Sequence, residues 1–93
     1  MLNRNAPSTQ DRVSQIVRHI LERRAVKKPA ALGDDLRAIG LSSLDMVNLM
    51  LAVEAEFDLK IPETEMTPQN FRSIAAIDTL VTTLRETGLA ASA

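Results

Sequence analysis

Apolar residues recur along this chain at helical spacing in three separate stretches, and nowhere do they alternate as a strand would. Val13, Ile16, Val17, Ile20 and Leu21 fall at i, i+3, i+4, i+7 and i+8. They predict a first helix that Ser8 or Thr9 caps and that fades near Lys27 and Lys28, where Pro29 forbids continuation. Met46, Leu49, Met50, Val53 and Phe57 share one face of a second helix, running from Ser43 to Phe57 or Asp58. Ile74, Ile77, Leu80, Val81 and Leu84 line a third, capped by Ser73 and stopped by Gly88. Ile61 and Pro62 close the second helix, and Thr67 opens a short turn that ends at Phe71. The expected fold is all-α: a small helical bundle with three main helices and one short helix.

Residues 29–41 form a connection too long to be idle without anchors. Leu32, Leu36 and Ile39 are the expected anchors, and Asp34 and Asp35 are placed to start a short turn of helix. The second helix is unusual in being apolar on more than one side. Leu44, Leu51 and Ala55 share with Asp45 and Asn48 a face that a domain this small cannot easily cover, which marks the face as available to a partner.

Chemistry concentrates at the start of that helix. With Ser42 as N-cap, its oxygen accepts from the Asp45 N–H, and the Asp45 carboxylate at N3 answers as in a capping box. With Ser43 as cap, N3 would be Met46, which has nothing to return. Capping therefore assigns Ser42 to structure and leaves the Ser43 hydroxyl free beside the unpaired N–H groups and partial positive charge of a helix N-terminus, where a phosphate is stabilised.

Composition narrows the chemistry further. At 93 residues the chain is one domain over 1–93, with an ordered core over about 10–86 and flexible tails at 1–8 and 89–93. Met1 and the character of both tails read as a standalone protein. The chain has no cysteine, which excludes a disulfide framework and a thiolate nucleophile, and its single histidine argues against zinc. Residues 1–28 carry a net +5 and residues 29–93 a net −6. Without aromatic platforms, the basic first helix reads as a solvated face, not a nucleic-acid surface, and His19 lies at its boundary. No apolar run suits a membrane span or a signal peptide, so the expectation is a cytoplasmic monomer that binds neither membrane nor nucleic acid.

The run from Ile39 to Pro62 resembles the heart of an acyl carrier protein, with Gly40, Ser43, Leu44, Glu54, Phe57, Asp58, Ile61 and Pro62 in the family's register. Phe71 to Ile77 is similar to that family's approach to its last helix, and the likeness extends over about residues 10–86. It implies that Ser43 bears 4′-phosphopantetheine, transferred from coenzyme A by a Mg²⁺-dependent phosphopantetheinyl transferase. A dedicated acyl or aminoacyl ligase and downstream transferases would then load and unload the thiol of the arm as a thioester, while the carrier itself catalyses nothing. By resemblance, partners with basic and apolar side chains would meet Leu44, Asp45, Leu51 and Glu54. Ser42 stands where fatty-acid carriers usually have Asp, Asn48 and Ala55 where they have acids, and the chain is nearly neutral. These departures imply a specialised carrier for a fatty acyl, polyketide or aminoacyl cargo. The helices near Met46, Met50 and Ile74 are expected to be loose enough to admit a short acyl chain. The alternative is an unmodified helical interaction module with the same fold. A hydrolase using Ser43 fails for want of a His or Lys to activate it.

Overall fold

Three capped helices account for most of the molecule. The computed structural model describes residues 8–25 and 30–87. Lys27, Lys28, Pro29, Gly88 and the terminal segments 1–7 and 89–93 lie outside them, and with them the expected helix stops and flexible tails. Helix α1 spans Thr9–Arg23. Ser8 caps it: its Oγ accepts from the Asp11 N–H at 3.0 Å, and the Asp11 carboxylate accepts from the Ser8 N–H at 3.4 Å. Val13, Val17 and Leu21, spaced four apart, are buried, and Ile16 and Ile20 flank them half-buried. The helix ends before the two lysines because the chain turns at Ala25, whose φ of 59° is left-handed and cannot continue a right-handed helix.

Helix α2 spans Ser43–Phe57, and α3 spans Ile74–Thr87. The end of α2 depends on Asp58, which takes the left-handed conformation (φ 51°) that acidic and amide side chains tolerate best after glycine. In α3 all five residues of the expected inner face are buried, and the Ser73 Oγ accepts from the Ala76 N–H at 3.1 Å. Between them lie two short 3-10 turns, Glu63–Glu65 and Gln69–Phe71. The second is the expected short element. The first has no apolar period to betray it: its three residues are Glu, Thr and Glu, none of them buried.

Helix α1 packs against both α2 and α3, while the second 3-10 turn packs on α3. Phe71, fully buried at the end of that turn, is the largest side chain in the core. The expected all-α bundle is therefore borne out, with no strand among the described residues. Nor is any helix among them long and apolar enough to cross a membrane.

The connection before α2 is fastened as much by its backbone as by its side chains. Leu36 is fully buried and donates its N–H to the Arg72 carbonyl at 2.8 Å. Leu41 is buried too, and Ile39 packs on the core from the side. Leu32 departs from expectation: its side chain is 43% exposed, and its carbonyl serves as the anchor instead, accepting from the Ala75 N–H at 3.0 Å. Asp34 and Asp35 form turns and not helix, because their carboxylates take the N–H groups of Ala31, Arg37 and Ala38.

Phe71→Ala should cost about 3–5 kcal/mol, a large share of the roughly 5–14 kcal/mol available to a domain of this length. Thermal or urea unfolding followed by circular dichroism checks this. A loss below about 1 kcal/mol would show that Phe71 is not central to the core.

Candidate functional site

Gly40 sets the approach to the site. Its φ of 128° is a conformation that L side chains rarely adopt, and it turns the chain so that Leu41 enters the core and Ser42 reaches extended geometry at the mouth of α2. Ser42 is the N-cap. Its Oγ accepts from the Asp45 N–H at 3.1 Å, and the Asp45 carboxylate accepts from the Ser42 N–H at 2.9 Å.

A third residue, distant in sequence, completes this box. Arg24, just past the end of α1, donates Nε to both Asp45 carboxylate oxygens, at 3.1 and 2.9 Å. Its Nη2 donates to the Ser42 Oγ at 3.2 Å. The Arg24 guanidinium, with help from the Ser42 N–H, holds the Asp45 carboxyl below the usual aspartate range, against the opposing effect of burial.

The two serines are thereby divided. The Ser42 oxygen accepts from two donors, which occupies both of its lone pairs. The Ser43 hydroxyl is exposed at the first helical position and has no hydrogen-bond partner among the described residues. A phosphodiester built on the Ser43 oxygen fits here, because it meets the positive end of α2 without displacing an existing bond. Beside Ser43 lies an open depression of about 490 Å³, lined by Met46, Val47, Met50, Met66 and Phe71, with Arg37 and Arg72 at its rim. Ile74, expected alongside Met46 and Met50, is buried in the core and does not line it.

The residues assigned by resemblance to a partner face divide two and two. Leu44 (65% exposed) and Leu51 (56%) stand in solvent. Asp45 is buried in its pair with Arg24, and Glu54 accepts the Ile61 N–H at 2.7 Å with Lys60 nearby at 3.9 Å. Both acids therefore serve the chain itself, one at each end of α2. Val47, half-exposed between the two leucines, joins them in a stripe at i, i+3 and i+7. Spacing alone does not mark it out, since Val47 reads equally as core until its burial is known.

The basic face of α1 also does more than meet water. Arg12 donates to the Glu56 carboxylate and to the Glu56 carbonyl, each at 2.7 Å, and its guanidinium sits 4.4 Å from the centre of the Phe57 ring. No local signal in the sequence links Arg12 or Arg24 to partners 44 and 21 residues away. His19 is exposed, and no cluster of metal-ligating side chains occurs among the described residues.

Comparisons with known proteins bear on this geometry. Residues 11–81 match the family model described as "Phosphopantetheine attachment site". Aminoacyl carrier protein 2 of Bradyrhizobium diazoefficiens is 44% identical over 80 residues, which cover 86% of this chain and 90% of that protein. Aminoacyl carrier protein 1 of the same organism is 43% identical over 82 residues, 88% of this chain and 91% of the relative. Two crystal structures of the Bradyrhizobium japonicum glycine:carrier protein ligase contain similar carrier chains. In the complex with its cognate carrier protein and an analogue of glycyl adenylate, the TM-score is 0.70 at 43% identity, covering 82% of this chain and 99% of that one. In the complex with glycylated carrier protein, the TM-score is 0.68 at 42% identity, covering 78% and 99%.

The buried pair has a consequence for stability. A carboxyl whose folded pKa is depressed contributes above its unfolded value, about 3.9, and loses that contribution as pH falls through the lower folded value. Asp45→Asn should therefore cost about 1.5–3 kcal/mol at pH 7 and flatten the loss of stability seen below about pH 4. Ser42→Ala should cost about 1 kcal/mol. Urea unfolding across the acid range up to neutrality tests both; a D45N variant with the wild-type pH profile would refute the role given to the pair.

Proposed function

The chain belongs to the family of proteins bearing a phosphopantetheine attachment site, and we propose that its arm is attached at Ser43 and charged with an amino acid by a dedicated ligase. It is a carrier protein and not an enzyme, with covalent 4′-phosphopantetheine as its cofactor. The observation that carries the assignment to Ser43 is the division of the two hydroxyls: Ser42 is held by Asp45 and Arg24, while Ser43 is exposed and unbonded among the described residues.

The modification is a displacement that a phosphopantetheinyl transferase would perform. The Ser43 Oγ attacks the β-phosphate of coenzyme A, a P–O bond forms, and the bond to adenosine 3′,5′-bisphosphate breaks. The hydroxyl proton passes to a base of the transferase. The chain contributes an accessible oxygen on a rigid helix end, and the positive end of α2 favours the phosphate that remains there. Once attached, the arm supplies a thiol that carries cargo as a thioester. No side chain of this protein competes for that role, because none bears sulfur as a thiol.

The aminoacyl cargo rests on the relatives, which bear the name aminoacyl carrier protein, and on similar chains found with a glycine:carrier protein ligase. Such a ligase activates its amino acid as an adenylate with loss of pyrophosphate, then transfers it to the arm with loss of AMP. The carrier's part is to hold the reacting end at high local concentration, on the order of millimolar for a short flexible tether, while the domain docks. Leu44, Val47 and Leu51 form the apolar patch that partners would meet beside Ser43.

Intact mass after incubation with coenzyme A, Mg²⁺ and a promiscuous transferase should rise by one phosphopantetheine in the wild type and in Ser42→Ala, and not in Ser43→Ala. The holo protein should then gain one glycyl group with glycine, ATP and the Bradyrhizobium ligase. Modification that persists in Ser43→Ala would move the attachment site. A holo protein that this ligase does not glycylate, while it loads its own cognate carrier, would count against glycine as the cargo and leave the carrier role intact.

A further inference from the structure

Ser43 opens onto a depression that the attachment chemistry leaves unused. On α2, Ser43, Met46, Val47 and Met50 line it at i, i+3, i+4 and i+7, so one continuous face runs from the attachment oxygen along the helix. Met66, just past the first 3-10 turn, lines it too. Three of the chain's four methionines are therefore gathered here, and unbranched thioethers adapt to an occupant that comes and goes. At about 490 Å³ the depression falls within the range of roughly 300–1,000 Å³ typical of small-molecule sites.

The charges at its rim do not cancel. The Asp35 carboxylate accepts the N–H groups of Arg37 and Ala38 and pairs with the Arg72 Nε at 3.6 Å. The Arg37 guanidinium has no hydrogen-bond or ion-pair partner among the described residues. Two arginines against one carboxylate leave the rim with a positive charge in excess.

We infer that Arg37 and this methionine-lined face hold the phosphopantetheine arm at rest, its phosphodiester set against the Arg37 guanidinium and its pantoyl methyl groups laid on Met46, Val47 and Met50. The inference rests on attachment at Ser43. The arginine does not select the occupant; covalent attachment does, because Ser43 itself lines the depression. The order along the arm matches the order along the site: a phosphate next to the serine oxygen, then a carbon bearing two methyl groups. The negative charge of the phosphodiester brings the rim to neutrality. An aminoacyl cargo fits less well, since its α-ammonium is repelled by the same rim, so the loaded end stays outside while the arm is held. Holding the first part of the arm shortens the part that moves freely and narrows the volume over which the thiol is spread.

The test is nuclear magnetic resonance of apo and holo protein carrying ¹³C at the methionine methyls, once intact mass has shown phosphopantetheine on the wild type and none on Ser43→Ala. In the holo protein the Met50 and Met66 methyls should shift from their apo positions and show nuclear Overhauser contacts to the pantoyl methyls. The ³¹P signal should differ from that of the urea-unfolded holo protein. Arg37→Gln should weaken the contacts about two- to fivefold, the range that one exposed ion pair supplies, and Arg37→Lys should restore most of the loss. Val47→Glu, which sets a carboxylate in the depression, should abolish them. Arg18→Gln removes an equal charge from α1 outside the depression and should leave them unchanged. Arg18, Arg37 and Val47 are all exposed, so melting curves of these variants should stay close to that of the wild type. Holo protein whose methionine methyls keep their apo positions and make no contact with the arm overturns the resting site and leaves attachment at Ser43 intact. Wild-type contacts in Arg37→Gln overturn the role of Arg37, and equal weakening in Arg18→Gln overturns it in favour of net charge. Phosphopantetheine that persists on Ser43→Ala overturns the attachment reading, and this inference with it.

Discussion

The contact between Arg24 and Asp45 is the constraint on which the working end of the molecule depends. One guanidinium engages both oxygens of a carboxylate that is 8% exposed and also reaches the hydroxyl of the capping serine. Charge-assisted bonds of this kind fix orientation as well as energy. It ties the mouth of α2 to the end of α1 and reinforces the capping box that leaves Ser43, not Ser42, with the unbonded hydroxyl among the described residues. Its position matters because α1 and α2 are joined by a connection whose own hold on the core is partial. Leu36 and Leu41 are buried, but Leu32 is not. Without the ion pair, the mouth of α2 would be located mainly by that connection.

Arg12 does the corresponding work at the other end. It bonds to the carboxylate and carbonyl of Glu56 and lies over the Phe57 ring, which Arg85 of α3 approaches at 5.9 Å. A cation beside the last carbonyls of a helix is favourable for the same reason that an anion is at its start. Arg12 on α1 and Arg24 just beyond it therefore grip α2 at both ends, while apolar side chains hold the middle. The middle of α2 has small or neutral side chains on the α1 side, and this leaves a groove open between two fixed points.

The bundle could be read from the chain because its information is local and periodic. Val13, Val17 and Leu21 repeat at four, the inner face of α3 is a full set of aliphatics, and the relation of Ser42 to Asp45 involves residues three apart. Where the reading failed, the cause was a contact between distant residues or a role taken by backbone. Glu54 looks like a surface acid on a helix until the Ile61 N–H arrives from elsewhere in the fold, and nothing local announces that Arg24 joins the Asp45 cap. Leu32 looks like an anchor until its carbonyl proves to be the attached atom. The end of α1 is hidden for a similar reason: the left-handed turn at Ala25 carries no glycine to announce it.

The spending of charge inside the fold has a functional consequence. A carrier must leave the enzyme that loads it, so its surface cannot hold that partner too firmly. In this chain three acids of α2 are committed internally: Asp45 to the cap, Glu54 to the turn after the helix, and Glu56 to Arg12. What remains outward is an apolar stripe of Leu44, Val47 and Leu51 beside the Ser43 hydroxyl. A patch of that kind gives affinity with little dependence on partner charge, so discrimination must come from the few charges left unpaired around it. An acid tied to an arginine of the same chain adds little to long-range attraction, and a surface built this way suits a carrier of near-neutral net charge. Specialisation of the carrier and the construction of its helix ends are then one physical problem with one solution.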